Sequence, residues 1–463
     1  MKKLMLIVSA LLLTVSLAAC GNPSSSNQPA ANTSTGTSPS GSGSTSAEPV
    51  NLTFWHAMSG TNEEVIKQVA ATYNETIGKE KGITITPVFQ GSYGDLMKKV
   101  RAAVQAKDFK NLPDLVQSPA SDVAVMKSIP SIVWAQDLIG KDSSFQIDDL
   151  EPNAVQTFSF QNKIVGIPFA NSTILLYYNK SMFADAGLDA SKPPATIAEL
   201  GEMAARLTDK PSKQWGFILT PELYQMSSWI GMQGGFLGNN ESGRADTMTA
   251  VEFDKTGAMK NFLTEWKKAV DLGGVQTGAD ANVKEEFAAG KLAMFVDSTA
   301  ALRGVLNSVG DKFEVGTAFY PKVNASDKGG VAVGGSALYV MDRGDQAKID
   351  AAWDYIKYSS APETQLIWHQ GTGYFPVNRK TYDLPAMNEH LEKNPLFKTA
   401  IDQLHSSSPQ VQEPMSAVNN EISTFLKEEI LSFVLNKKDI DTAVSDMAAK
   451  ANKALEEYNR ANK

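Results

Sequence analysis

Four histidines, one cysteine and 51 acidic residues are the groups in this 463-residue chain with chemistry to offer, and their spacing argues for little of it. His56, His369, His390 and His405 include no pair four residues apart, so no helical face presents two imidazoles to a metal. No HExxH, Gly-x-Ser-x-Gly or Walker A pattern occurs. The lone thiol, Cys20, forbids an internal disulfide and a two-thiolate metal site, and no cofactor is expected. A glycoside hydrolase needs only two well-placed carboxylates. That reading stands second, behind simple ligand binding, and a surface adhesin stands third. Trp55, Tyr224 and Trp229 could stack on a ligand ring or chain. Trp229 is expected to do so because Met226 to Gly235 reads as a polar loop, whereas Tyr177 and Tyr178 lie in an apolar strand and should pack.

The first residues have the layout of a bacterial secretion signal: Lys2 and Lys3, an apolar run from Leu4 to Leu17, then small residues up to Cys20. Leu17-Ala18-Ala19-Cys20 resembles a lipobox, which implies cleavage after residue 19 and diacylation of Cys20. Two acyl chains hold a protein at a membrane surface where one would not. Residues 20–49 are almost all Ser, Thr, Gly, Asn, Pro and Ala, a composition that stays solvated and spans on the order of 30 Å as a tether. The chain is therefore expected on the outer face of a cell membrane, touching it only through lipid. Its net charge of −8 disfavours nucleic acid, whose phosphates demand a basic surface.

The remainder, about 410 residues, exceeds what one hydrophobic core organises, so two lobes are expected. Strand-like Asn51 to Trp55, a helical period over Asn62 to Ile77 and the alternating Ile83, Ile85, Pro87 and Phe89 make a β-α-β opening. A helix from Tyr93 and an apolar run at Pro113 to Val116 continue it. Met259, Phe262, Trp266 and Val270 mark a half-buried helix over Asp254 to Leu272. A helix stopping at Gly290 precedes a buried strand, Leu292 to Val296. Paired apolar runs broken at Ala170 to Thr173, the interruption Gly334-Gly335, and Gly373 to Pro376 suggest three crossings between lobes. The predicted fold is α/β and two-lobed, the Venus-flytrap architecture of periplasmic binding proteins, with a hinge of three crossings. One lobe takes 50–170 plus 336–374 and the other 171–335 plus 375–463.

Several motifs, in order, resemble the extracellular solute-binding family that serves bacterial carbohydrate importers, and the glycerol-3-phosphate-binding members most closely. They are Phe54 to Gly60, Gly91-Ser92-Tyr93, Pro168 to Thr173 with Leu176 to Lys180, Gly334 to Met341, and Trp368 to Pro376. The resemblance implies a monomer that captures a sugar, polyol or glycerol phosphate by cleft closure and delivers it to ABC permease subunits. It places ligand contacts at Tyr93, Ser172, Ser298, Gly335 and Tyr374. It also exposes two departures: Ala120 stands where the family has a glutamate for the glycerol hydroxyls, and Met415 where it has an arginine for the phosphate. A buried phosphate without that cation loses hydrogen bonds of about 1.5–3 kcal/mol each.

Overall fold

Leu52, Phe54 and His56 are buried while the residues between them are less so, the alternation of a strand with one face on a core. A computed structural model describes residues 48–279 and 281–462, so the secretion signal, Cys20 and nearly all of the tether lie outside the described residues. In chain order the strands are β1 (Val50–His56), β2 (Ile83–Phe89), β3 (Leu115–Pro119), β4 (Ile132–Val133), the ribbon β5 (Ser159–Phe160) and β6 (Lys163–Ile164), β7 (Ile167–Ser172), β8 (Ile174–Asn179), β9 (Trp215–Ile218), β10 (Val275–Gln276), β11 (Leu292–Ser298), β12 (Val315–Phe319) and β13 (Gly334–Met341). They form two mixed sheets besides the ribbon. The first runs β2-β1-β3-β13-β4 with β7 also on β13, and the second runs β10-β9-β11-β8-β12.

Both sheets carry helices on both faces, which is why their central strands read as continuous apolar runs. Along β8, Ile174, Leu176 and Tyr178 enter one core cluster and Leu175 and Tyr177 the other. The first sheet likewise separates a cluster around Phe54, Phe169, Tyr355 and Trp368 from one around Leu96, Val116, Met126 and Phe158. Asp114 is buried at the edge of this sheet and is held by Arg343 at 3.0 Å, Lys348 at 3.2 Å and the Thr53 amide at 2.9 Å. A buried carboxylate with fewer partners would cost several kcal/mol.

The chain changes sheets within one residue at Thr173, between β7 and β8. It returns between β12 and β13. First-sheet pairing runs through the expected crossings at 170/171, 335/336 and 374/375. Asn171 and Ser172 still pair in the first sheet with Gly335 and Gly334, and Phe375 bridges to Asn171 while Val377 stays in the first lobe's core. The helix Pro395–His405 then packs on β12 of the second lobe. Its buried Gln403 ties these passages together. The Gln403 amide nitrogen donates to Ile174 O at 2.6 Å and Thr173 Oγ1 at 3.2 Å, and its oxygen accepts from the Tyr320 amide at 2.6 Å.

One helix starts later than its sequence suggests. The predicted helix over Asp254 to Leu272 starts at Ala258, after Gly257 in the left-handed region. The C-terminal segment forms two helices, Asn419–Val434 and Ile440–Ala461.

Candidate functional site

Ser92 and Asp95 close a capping box: the Asp95 amide donates to Ser92 Oγ at 3.2 Å and the Ser92 amide to Asp95 Oδ2 at 3.1 Å. That fixes Tyr93 as the first residue of the helix Tyr93–Gln105, with its phenol beside Ser336 and Tyr374. Burial raises the Tyr93 phenol to about 12, so it keeps its proton in neutral solution. Tyr374 follows Gly373, whose φ of 98° ends the helix Pro362–Thr372 in the left-handed conformation. The ring stacks on Trp368 at 5.6 Å between centroids, and the Tyr374 carbonyl meets His369 Nδ1 at 2.7 Å.

Ser172 is the last residue of β7, opposite Gly334. Ser298 ends β11, a strand parallel to β9, at the carboxyl edge where α/β sheets receive ligands. Its hydroxyl accepts from the Ala300 amide at 3.2 Å and its carbonyl from the Tyr177 phenol at 2.7 Å. Gly335 has φ of 93°, and a Cβ there would stand 2.0 Å from Ala170 O. Gly335→Ala should therefore force β7 and β13 apart and cost on the order of 1–3 kcal/mol of backbone strain alone. A urea unfolding curve unchanged from wild type would refute this.

These five residues line one cavity of about 390 Å³ between the sheets. Tyr224, Asn62, Ala120, Lys284, Asp297 and Glu413 complete its wall. The phenol oxygens of Tyr93 and Tyr224 are buried without a hydrogen-bond partner, although such groups are rarely left unpaired in folded proteins. Hydroxyls of a ligand in the cavity would offer them partners. Lys284 lies 3.4 Å from Asp297, and Glu413 faces the cavity with its carboxyl raised by burial to about 7. No group of three or more His, Cys, Asp or Glu able to hold a metal occurs among the described residues.

Trp229 is not part of this wall, which corrects the sequence reading. Residues Leu223–Met232 form a helix rather than a polar loop, and Ser227 and Ser228 on it are buried. The Trp229 indole stacks between Phe262 and Tyr320, and its N–H donates to Pro321 O at 2.9 Å. Tyr224, one turn earlier, is the aromatic of this helix that reaches the cavity. Asp297 had a legible signal, since it adjoins Ser298 at the carboxyl end of a strand. Glu413 had none, because 406–418 has no regular period.

Two α/β lobes joined by successive strand crossings, with a hydroxyl-lined cavity at the hinge, define a cleft-type binding protein. The model of the bacterial extracellular solute-binding protein family matches residues 68–399, and the chain belongs to that family. The sn-glycerol-3-phosphate-binding periplasmic protein UgpB of Escherichia coli K12 is 26% identical over 426 residues, covering 89% of this chain and 94% of the relative. Among solved structures, UgpB from Mycobacterium tuberculosis in complex with glycerophosphocholine superposes with a TM-score of 0.73 at 18% identity, over 89% of this chain and 99% of the other. The sugar-binding protein MalE from Xanthomonas citri gives 0.73 at 21%, over 89% and 98%. The two-lobed α/β fold is thus the fold of this chain. Membership in a family of binding proteins takes the place of the hydrolase reading.

Proposed function

We propose that this chain is the capture component of an ABC importer: its lobes close on a sugar, polyol or glycerol phosphate and present it unchanged to membrane permease subunits. The observation that carries this reading is the cavity itself, walled by Tyr93, Gly335 and Tyr374 from one lobe and Ser298 and Tyr224 from the other. A molecule with alternating hydroxyl and C–H edges matches walls of phenol rings, hydroxyls and close backbone. The names of the relatives and the fold neighbours, which bind glycerol phosphate or sugars, support the same class. Acylation of Cys20 would keep the protein at the outer membrane surface near its permease.

Closure requires only that the ligand bind the closed arrangement more tightly than the open one. Small-angle scattering on the protein with and without a ligand found by thermal-shift screening is expected to show compaction. An unchanged radius of gyration at saturation would refute cleft closure, and recovery of an altered ligand would refute simple capture.

A further inference from the structure

The charged groups lining the cavity are Lys284, Asp297 and Glu413. Lys284 is answered by Asp297 at 3.4 Å. Among the described residues Glu413 has no ion-pair partner. The nearest guanidinium, Arg244, is spent on backbone, donating to Glu413 O at 2.6 Å, Gln156 O at 3.2 Å and Thr157 O at 3.4 Å. Arg303 donates to Gln370 O at 2.7 Å and covers the Phe397 ring, and Arg379 lines a different cavity beside Glu151 and Tyr382. Met415, at the place the resemblance assigns to a phosphate-binding arginine, is 3% exposed and packed in the first lobe's core.

We infer that Glu413 sets the charge class of the ligand: its carboxylate accepts from the hydroxyls of an uncharged sugar or polyol and turns away molecules that carry a phosphate. The inference deepens the capture reading and rests on it. A phosphate ester brings one to two negative charges and asks for several donors. Here it would meet the Glu413 carboxylate, and its only cation would be a half-exposed lysine already facing Asp297. A neutral polyol meets the same carboxylate as a donor meets an acceptor, with the unpartnered phenols of Tyr93 and Tyr224 serving its other hydroxyls.

Acidity gives the arrangement a second readout. Burial raises the Glu413 carboxyl to about 7, Arg244 opposes that rise, and Asp122, itself bound to Arg101, adds to it. The Lys284–Asp297 pair and the phenols of Tyr93, Tyr224 and Tyr374 are the other titratable groups lining the cavity. Above pH 7 the carboxylate repels an anion, and below it the neutral acid does not. A phosphodiester is the suitable probe because its single charge does not titrate in this range.

Calorimetric titration of the folded wild type and Glu413→Gln with glycerophosphoglycerol at pH 8.5 is expected to show at least tenfold tighter binding to the variant, and a gap that narrows at pH 5.5. Glu413→Asp, which keeps the charge, should retain the exclusion. Neutral probes (maltose, trehalose, ribitol) that bind wild type should bind Glu413→Gln no more tightly. Equal behaviour of wild type and Glu413→Gln toward the diester at pH 8.5, whether both bind or neither does, overturns the role of Glu413 while leaving capture intact. If no probe, neutral or anionic, binds any of the three proteins, the capture reading falls and this inference falls with it.

Discussion

Tyr93→Ala and Tyr374→Ala are each expected to weaken binding of the captured polyol or sugar by about ten- to hundredfold. Each loses a phenol hydrogen bond, about 0.5–1.5 kcal/mol, and a ring face worth a similar amount, and those losses compound to roughly one or two decades. The two positions differ in what else they disturb. Tyr93 opens a helix whose capping box is made by Ser92 and Asp95, so its side chain can be removed without touching the cap. Tyr374 is 7% exposed and stacked on Trp368, so its removal also opens a gap in the first lobe. Tyr374→Phe keeps the stack and deletes only the hydroxyl; it should lose binding with little change in unfolding midpoint. Wild-type affinity in both alanine variants would take these residues out of the site.

Arg244→Met should be the most damaging single change to stability outside the two cores, by about 3 kcal/mol or more. The guanidinium is buried and bonds carbonyls of two chain segments, Gln156–Thr157 and Glu413. Hydrogen bonds to a charged donor contribute about 1.5–3 kcal/mol each, and the three carbonyls would all lose theirs. Burial lowers the Arg244 group to about 10, still well above neutrality, so the loss should appear at any pH near 7. Loss of this cation also removes the pull that holds the Glu413 carboxyl down, so Glu413 should stay protonated to higher pH in the variant. Urea unfolding reads the first effect, and a midpoint within experimental error of wild type would contradict it.

The backbone plan was written in the sequence wherever burial imposes a period. The β-α-β opening, the helix carrying Phe262 and Trp266, and the strand at Leu292 to Val296 follow from alternation, helical spacing and a glycine stop. Five of six expected contacts line one cavity, but it was the resemblance that singled them out; no period marks Ser172 or Tyr374 as special. Trp229 failed for a physical reason: two small buried serines gave its segment a polar composition while the helix was covered on every side. Glu413 and Arg244 escaped notice because their setting is irregular backbone held by carbonyl contacts, to which no sequence periodicity corresponds. At the expected crossings, ladder hydrogen bonds continue past the glycines and polar residues that suggested a break.

Gln403 gives the hinge a property beyond its hydrogen bonds. One amide clasps Thr173 and Ile174 on one passage and Tyr320 on another, from a helix that follows the third. The connecting segments are therefore held together before any ligand arrives. Capture then has few loose segments to freeze, so the ligand's contacts are converted into affinity with only a small entropic deduction.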